Sequence, residues 1–303
     1  MPLRVAVLGP KGQCGSCVVD ELLSRGHTVV GLSRNPPAKW HDSNSRYSSQ
    51  AVDVYDHEGL VEAFSDNFDA IVNAFAPPIV SIKTIYRAVI EGQLRIKSAL
   101  LASTHTGPFI IIGGAGSLFN KDGVQLVDEK DFAYQHWYER PDVHIDYMTS
   151  RSNDHGNKMM YYFCSLFKWA RNTNESKTCR TCPNCTWSSV PFKPLASFLL
   201  SKMKQFMTSA DGRSLIEGCR VAFSLFLSPP WQLRDKGVRK GKYSITIDRY
   251  PLDENDAHLG IYNEDMAVAI VDEVEENKLN HKHWCPTGQI DLRSGSSVPY
   301  HVD

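Results

Sequence analysis

Apolar runs and amphipathic stretches alternate along the first 115 residues. Short aliphatic or β-branched runs predict strands in RVAVL, HTVVGLSR, QAVDVYD, FDAIVNAFA and PFIIIGGAG. Between them, SCVVDELLSRG, EGLVEAFSD and the segment from 79 to 101 place apolar residues at helical spacing, and Gly26 is placed to end the first helix. Parallel strands need crossover helices, so the alternation predicts an α/β fold with a parallel sheet covered on both faces.

The second half of the chain has a weaker pattern. Residues 117–160 are polar and predict mostly loops, whereas PLASFLLSKMKQFM and SLIEGCRVAFSLF predict helices and KYSITID predicts a strand. NEDMAVAIVDEVEEN predicts a helix with Asn263 as its N-cap and acidic residues in its first turn. Open parallel sheets bind ligands beyond the carboxyl ends of their strands, so the residues after each strand are the candidates for a site.

Composition excludes several classes of function. The 303 residues are 42% hydrophobic and 22% charged, with a formal net charge of −1, so no global field would recruit nucleic acid or an acidic membrane. No apolar run reaches the roughly 18 residues of a membrane helix, and VAVL is too short for a signal peptide. We therefore expect a cytoplasmic protein, monomeric or homodimeric, that acts on a small-molecule substrate.

Three glycines follow the first predicted strand and open the first predicted helix. Gly9, Gly12 and Gly15 have the spacing G-x-x-G-x-x-G. Glycines allow the backbone to approach a pyrophosphate, and the start of a helix offers unpaired N–H groups and a positive dipole end. This context favours a dinucleotide loop over a purely structural turn.

The end of the second predicted strand indicates which dinucleotide would bind. NAD-binding folds usually place an acidic residue here, but the chain has Ser33 and Arg34, with no acid between Val29 and Trp40. An arginine favours the 2′-phosphate of NADP, and Lys11 could add a second positive charge. The alternative is that Arg34 is a solvated surface residue. Asp53 could accept a hydrogen bond from the adenine amino group, or could simply belong to a turn.

Cysteines form two patterns. Cys14 and Cys17 make a C-x-x-C pair at the start of the first helix, which could indicate thiol redox chemistry, but the flanking glycines and the later strands favour cysteines that simply lie in a phosphate loop. Cys179, Cys182 and Cys185 have a spacing that could bind zinc or an iron–sulfur cluster, yet no fourth ligand has a diagnostic spacing. We predict no metal site.

Longer stretches resemble a known family. GPKGQCGSCVVDELLSRGHTVVGLSRNP, followed by VDVYD, IVNAFAP and FIIIGGAGSL, resembles the atypical short-chain dehydrogenase/reductase group, which includes NmrA-like proteins, flavin or biliverdin reductases and epimerase/dehydratase-like proteins. LSPPW, GKYSITID and EDMAVAIVDEVE resemble the C-terminal part of that group. The resemblance covers about residues 3–135 and 216–285.

The resemblance implies a Rossmann-type doubly wound parallel sheet that binds NADP, with a smaller C-terminal substrate lobe. It implies an NADP-binding core at 1–135 and a lobe with the remaining sheet elements at 136–303, with a variable insertion near 164–215. The glycine loop would hold the pyrophosphate and Arg34 the 2′-phosphate. The residues assigned to cofactor binding are Gly9, Lys11, Gly12, Gln13, Cys14, Gly15, Arg34, Asp53, Val54, Asn73, Ala74, Phe75, Gly113 and Gly114.

The chain departs from the family in its catalytic residues. Classical members use a Tyr-x-x-x-Lys pair, and no tyrosine here has a lysine four residues later; Tyr147 is followed by Arg151. After the fifth strand, Ser117 and Tyr138 are the candidate proton donors, although the stretch AYQHWYERP around Tyr138 could equally be a lid or a surface loop.

Three functions remain open from the sequence. The first is an NADP(H)-dependent reductase of a small organic carbonyl or similar acceptor that acts by hydride transfer. The second is a non-catalytic NADP(H)-sensing regulatory protein, as NmrA-like proteins can be, which the missing Tyr-x-x-x-Lys pair keeps open. The third is an epimerase or dehydratase that retains its cofactor.

Overall fold

The computed structural model describes residues 1–41, 45–76, 91–129, 134, 138, 142–154, 158–175, 193–207, 226–230, 232–234, 237–254 and 259–290. The chain divides into two compact units. The first comprises Met1–Asp128 with Ser214–Ile290, and the second comprises Glu129–Arg213 with Asp291–Asp303. The division into 1–135 and 136–303, with an insertion near 164–215, stays a prediction.

The first unit contains the strands and four of the described helices. The strands are β1 (Arg4–Leu8), β2 (Thr28–Ser33), β3 (Tyr47–Ala51), β4 (Ala70–Asn73), β5 (Phe109–Ile112), β6 (Phe226–Leu227), β7 (Gln232–Arg234), β8 (Ser244–Ile247), β9 (Gly260–Tyr262) and β10 (Trp284–Thr287). The helices are α1 (Gln13–Ser24), α2 (His57–Phe64), α3 (Gly92–Ala102) and, later in the chain, α7 (Asn263–Glu276). The second unit contains α4 (Asp142–Asp154), α5 (Lys158–Glu175) and α6 (Lys193–Met207).

Eight strands form one sheet in the order β3-β2-β1-β4-β5-β6-β10-β8. Every neighbouring pair is parallel except β10 and β8, which are antiparallel, while β7 and β9 form a separate parallel pair. The strand order reverses between β1 and β4, and a crevice for a ligand opens at such a switch point. The predicted Rossmann-type doubly wound α/β fold is confirmed.

Alternate residues of β1 face opposite sides of the sheet, which explains why the strand is apolar throughout. Val5 and Val7 belong to a buried cluster with side chains of α1 and α7, and Ala6 and Leu8 belong to another with side chains of α2 and α3. Gly26 follows the end of α1 with a φ of +89°, as predicted from its position.

The structure differs from the predicted elements at three places. β3 ends at Ala51, so Asp53 lies in the turn that leads into α2. The N-cap of α7 is Tyr262, and Asn263 is fully buried as the first helical residue, because β9 ends at Tyr262 and the chain enters the helix without an intervening loop. The polar stretch predicted as loop contains α4, a helix with weak apolar periodicity that buries Ile145.

The second unit has its own core. Its buried side chains are Ile145, Cys164, Phe167, Ala170, Ala196 and Leu200. The predicted helix PLASFLLSKMKQFM is confirmed as α6, whereas all of SLIEGCRVAFSLF except its last residue, Phe226 of β6, lies outside the described residues. Within the described ranges, no helix is both long and apolar enough to cross a membrane.

Candidate functional site

The glycine loop between β1 and α1 is a tight backbone turn. Gly9 has a φ of +81°, which favours glycine, and a Cβ at this position would lie 2.8 Å from the carbonyl oxygen of Ala74. The N–H of Gly12 donates to the carbonyl oxygen of Gly9 over 3.1 Å, and the N–H of Ser16 donates to that of Gly12 over 2.9 Å. The loop therefore lies against the end of β4, with the start of α1 directly after it.

A cavity of about 560 Å³ opens at this edge of the sheet. Eleven of the predicted cofactor-binding residues line it: Gly9, Lys11, Gly12, Gln13, Cys14, Arg34, Asp53, Val54, Ala74, Phe75 and Gly113. Its other lining residues are Leu8, Leu32, Ser33, Val52, Tyr55, Ala76, Ile112, Pro229 and Leu233. The ends of β1, β2, β4 and β5 thus contribute to one site, as the switch point predicts.

Three of the predicted residues do not line the cavity. Gly15 is buried in the first turn of α1 against Gly9, and Gly114 comes directly after the lining residue Gly113. Asn73 is fully buried. Its Nδ2 donates to Oε1 of Gln93 over 2.8 Å, and its Oδ1 accepts from the N–H of Phe75 over 3.0 Å. Asn73 therefore fixes the backbone at the end of β4.

Two cations and one carboxylate line the cavity: Lys11 in the loop after β1, Arg34 directly after β2, and Asp53 after β3. Arg34 and Lys11 are exposed, and neither forms an ion pair with another residue of the described part of the chain. Asp53 is exposed as well, and its Oδ1 accepts from the N–H of Tyr55 over 3.0 Å. This hydrogen bond orients the carboxylate and leaves Oδ2 available to a ligand.

The two cysteines of the loop have different environments. Cys14 lines the cavity, and its thiol lies 3.7 Å from Oδ1 of Asn263. Cys17 packs against the core, and burial raises the pKa of its thiol far above the ordinary value, with the negative charge of Glu264 adding to the effect. A redox cysteine needs the opposite shift, because the thiolate is the reactive form. Cys17 therefore lacks the electrostatics of a redox thiol.

The candidate proton donor Ser117 lies in a short 3-10 turn after β5, and it is 3% exposed. Its hydroxyl contacts three oxygen or nitrogen atoms: the carbonyl oxygen of Gly114 at 3.3 Å, Oγ of Ser228 at 3.1 Å and Nε2 of His283 at 3.3 Å. Ser228 and His283 are themselves 2.8 Å apart. Ser117 is therefore part of a buried polar cluster beside the strand ends.

The other candidate, Tyr138, belongs to the second unit. Its ring lies 5.7 Å from that of Tyr134, and its carbonyl oxygen accepts from Nη1 of Arg171 over 2.9 Å. These contacts place the side chain at the edge of the core of that unit. A catalytic role for Tyr138 stays a prediction.

Sequence reasoning missed His283 as a member of the polar cluster. It lies in the short sequence NHKHW before β10, which carries no motif, and only the pairing of β10 with β6 brings it to Ser228. Pro229, which belongs to the stretch LSPPW, lines the cavity.

Metal binding finds no support in the described ranges. They contain no group of three or more His, Cys, Asp or Glu side chains that could hold an ion, and Cys164 is buried in the core of the second unit. Cys179, Cys182, Cys185 and Cys219 lie outside the described residues.

The residues at the cavity fit a dinucleotide. The glycine at position 9 leaves the backbone open where a Cβ would collide with Ala74, and the cations Lys11 and Arg34 line the cavity. Backbone N–H groups at the start of α1 suit a pyrophosphate, and Lys11 and Arg34 suit further phosphate oxygens.

Comparison with solved structures shows the same fold. A proposed epimerase from Bacteroides thetaiotaomicron is 21% identical and has a TM-score of 0.57, with 96% of this chain and 99% of that chain covered. A proposed NADH-flavin reductase from Streptococcus pneumoniae is 19% identical with a TM-score of 0.53, covering 95% and 100% of the two chains. A proposed exported protein from Burkholderia pseudomallei is 21% identical with a TM-score of 0.53, covering 94% and 100%. At these identities the likeness concerns the fold alone.

Comparison with protein families gives a more specific result. No curated protein matches the sequence. The family model described as the NAD dependent epimerase/dehydratase family matches residues 5–156, which is just over half of the chain and includes the glycine loop, Arg34, Asp53 and the ends of β4 and β5. The chain is an NAD(P)-binding protein that belongs to the NAD dependent epimerase/dehydratase family.

Proposed function

We propose that the protein binds NADP(H) and reduces a small organic carbonyl or a similar acceptor. The observation that carries the choice of cofactor is that Arg34, directly after β2, and Lys11, in the glycine loop, both line the cavity, while no carboxylate directly follows β2. A 2′-phosphate bound beside β2 would meet Arg34, and Lys11 would add positive charge to the cavity, whereas the free 2′-hydroxyl of NAD would lack its usual acidic partner.

Each part of the dinucleotide has residues of suitable chemistry along the cavity. The N–H groups of the glycine loop and of the first turn of α1 would hold the pyrophosphate. Asp53 and Val54 would contact the adenine, because Asp53 offers a carboxylate oxygen and Val54 an apolar surface. Ala74 and Phe75 would border the ribose, and Gly113 and Gly114 would approach the nicotinamide.

The reduced nicotinamide supplies a hydride when it is bound, and the protein must bind and orient the reactants. Carbonyl reduction also needs a proton at the substrate oxygen. Ser117 is the candidate donor, since it follows the glycines at the end of β5 and its hydroxyl already takes part in a hydrogen-bonded cluster.

A second candidate function is favoured by the family match itself. An epimerase or dehydratase of this family would keep its cofactor through the reaction and release no oxidised dinucleotide. The two functions differ in an observable way, because a reductase consumes one NADPH in each turnover.

The test is a titration and turnover experiment on the purified full-length protein. NADPH and NADH are titrated separately, and absorbance of the reduced nicotinamide is then followed with a panel of carbonyls, quinones and flavins. Stoichiometric oxidation of bound NADPH by one of these acceptors would support the reductase. NADPH binding without oxidation by any acceptor would contradict the reductase and favour a sensor, and a dinucleotide that survives purification would favour the epimerase or dehydratase.

A further inference from the structure

Three side chains from distant parts of the first unit form a continuous hydrogen-bonded chain. His283 Nε2 lies 2.8 Å from Ser228 Oγ, which lies 3.1 Å from Ser117 Oγ, which lies 3.3 Å from the carbonyl oxygen of Gly114. One assignment of hydrogens satisfies all three contacts: the Nε2–H donates to Ser228, the Ser228 hydroxyl to Ser117, and the Ser117 hydroxyl to Gly114. The chain then points from the imidazole to the glycines after β5.

Strand pairing holds these three hydrogen-bonded side chains at the ligand-binding edge of the sheet. Ser228 comes directly after β6, and its N–H donates to the carbonyl oxygen of Trp284 over 2.8 Å. The N–H of Gly113 donates to the carbonyl oxygen of Leu227 over 2.8 Å. The next residue, Pro229, lines the cavity, whereas the Ser228 side chain is fully buried towards Ser117 and His283. The polar chain therefore lies directly behind the cavity wall.

The His283 end of this hydrogen-bonded chain of side chains reaches solvent. Nδ1 of His283 lies 3.6 Å from Oδ1 of Asp248, and the two side chains are 15% and 56% exposed. The backbone fixes Asp248 in place, because its N–H donates to the carbonyl oxygen of His283 and its carbonyl oxygen accepts from the N–H of Phe119, both over 2.8 Å. The line of polar contacts thus runs from an exposed carboxylate to a serine that is 3% exposed.

The charges around His283 allow it to change protonation state. Burial lowers the pKa of its imidazole below the ordinary value, and the negative charge of Asp248 on the turn after β8 opposes that shift. The groups that face the imidazole from the ends of β5 and β6 are the uncharged hydroxyls of Ser117 and Ser228. The imidazole therefore gives up its proton readily while remaining able to regain one from the side of Asp248.

A serine nucleophile activated by histidine would require different geometry. Ser228 has no exposed surface, so an acyl group could not reach its Oγ. The polar chain is suited to the transfer of protons and not to covalent catalysis.

We propose that His283, through Ser228, supplies Ser117 with the proton that carbonyl reduction requires. The inference rests on the proposed reductase function. The Nε2–H bond of the protonated imidazole breaks as an O–H bond forms on Ser228, the Ser228 proton passes to Ser117, and the Ser117 proton passes to the substrate oxygen. The hydride adds to the carbonyl carbon, the imidazole is left neutral, and solvent beside Asp248 restores its proton. His283 and Ser228 are positioning residues that act through Ser117.

The decisive variants are His283→Gln, which keeps an N–H donor but cannot titrate, and Ser228→Ala, which removes the bridging hydroxyl and leaves only the direct 3.3 Å contact between Nε2 of His283 and Oγ of Ser117. The control is His281→Asn, an exposed histidine two residues away. We expect His283→Gln to lower kcat by about 100-fold and Ser228→Ala to lower it by about 10-fold, with the Kd for NADPH changed less than about 2-fold in both. The wild-type kcat should fall as the pH rises through the pKa of His283, and the His283→Gln profile should be flat.

A measurement that does not depend on turnover tests the protonation of His283. In protein labelled with ¹⁵N-histidine, the NMR signals of the His283 ring should titrate below the ordinary histidine range, and Ser228→Ala should shift this titration. Unchanged kcat and pH profile in His283→Gln, or a His283 ring that does not titrate between about pH 4 and 8, would overturn the relay alone. A wild-type protein that binds NADPH but reduces no acceptor would overturn the reductase function and the relay with it.

Discussion

The carbonyl oxygen of Gly9 lies where a side chain on Gly15 would begin. A Cβ on Gly15 would collide with that oxygen and with the carbonyl carbon that bears it, and both are backbone atoms that cannot move without moving the loop. The contact explains the third glycine of the motif: Gly15 allows α1 to start directly under the phosphate loop, and it need not touch the ligand itself.

Gly15→Ala should therefore displace the loop from the end of β4. We expect the free energy of unfolding to fall by about 1–3 kcal/mol through overpacking and the Kd for NADPH to rise at least about 10-fold. Denaturant unfolding and dinucleotide titration measure the two effects. The control Gly26→Ala has no atom within 4 Å of its added Cβ and a φ of +89°, so it should lose stability through backbone strain and keep its affinity. Equal affinity in both variants would contradict the role of Gly15.

Arg34 should distinguish the two dinucleotides. Arg34→Ala should weaken NADPH by about 10- to 100-fold, because a charge-assisted hydrogen bond is lost, while NADH changes less than about 2-fold. Lys11→Thr should act in the same direction with a smaller effect, since lysine is a mobile point charge. The exposed Lys39 provides a matched control, and Lys39→Ala should leave both affinities unchanged. Equal losses for NADPH and NADH would show that Arg34 does not bind the 2′-phosphate.

Cys14 and Cys17 should differ in their reactivity towards thiol reagents. Cys14 lines the cavity, so iodoacetamide should modify it in the free protein and bound NADPH should slow that modification. Cys17 should react far more slowly, because burial raises the pKa of its thiol and keeps it protonated at neutral pH. Peptide mass spectrometry resolves the two sites. Rapid modification of Cys17, or equal rates at Cys14 with and without NADPH, would be inconsistent with the structure.

Glu21 should make the first unit sensitive to acid. Its carboxylate is 4% exposed and accepts hydrogen bonds from Arg25 and Arg239, each over 2.7 Å. Burial raises the pKa of Glu21, but the two arginines outweigh that effect and hold it below the ordinary 4.5. Stability from this group is therefore present above about pH 4.5 and lost as the pH falls through the folded-state pKa.

Glu21→Gln should cost about 1–3 kcal/mol of unfolding free energy at pH 7 and should remove part of the acid dependence. The control is Glu276→Gln, because Glu276 pairs with Lys278 at the surface and its loss should cost no more than about 1 kcal/mol. Urea unfolding at pH 7 and pH 4 measures the unfolding free energy of each variant and its dependence on pH. The same slope of stability against pH in Glu21→Gln and in wild-type protein would refute the assignment.

The sequence pattern was enough to predict the part of the site that one contiguous segment of the chain forms. The β1–loop–α1 unit is contiguous, so the spacing of Gly9, Gly12 and Gly15 was enough to predict a tight glycine loop between β1 and α1, and the residues after β2 and β3 followed from the parallel sheet. The binding of a pyrophosphate by this loop stays a prediction. Asn73 is among the residues predicted to bind the cofactor, yet its side chain is buried and bonds to Gln93 and Phe75, and the sequence contains no signal for that pairing.

The remaining part of the site depends on contacts between residues far apart in the chain. Ser117, Ser228 and His283 meet only because β10 pairs with β6, which in turn pairs with β5. β6 has two residues and carries no readable periodicity, so neither its existence nor its place in the sheet could be predicted from the sequence. The polar cluster could not be found before the strand order was known.

The choice of NADP(H) over NAD(H) is tested most directly by the two dissociation constants of the unmodified protein. Isothermal titration of the purified chain with NADPH and with NADH, in one buffer and at one ionic strength, gives both. Arg34 at the end of β2, Lys11 in the glycine loop and the lack of a carboxylate directly after β2 predict that NADPH binds at least about 10-fold more tightly than NADH. An equal Kd for NADPH and NADH, or tighter binding of NADH, would contradict the assignment of NADP(H) as the cofactor.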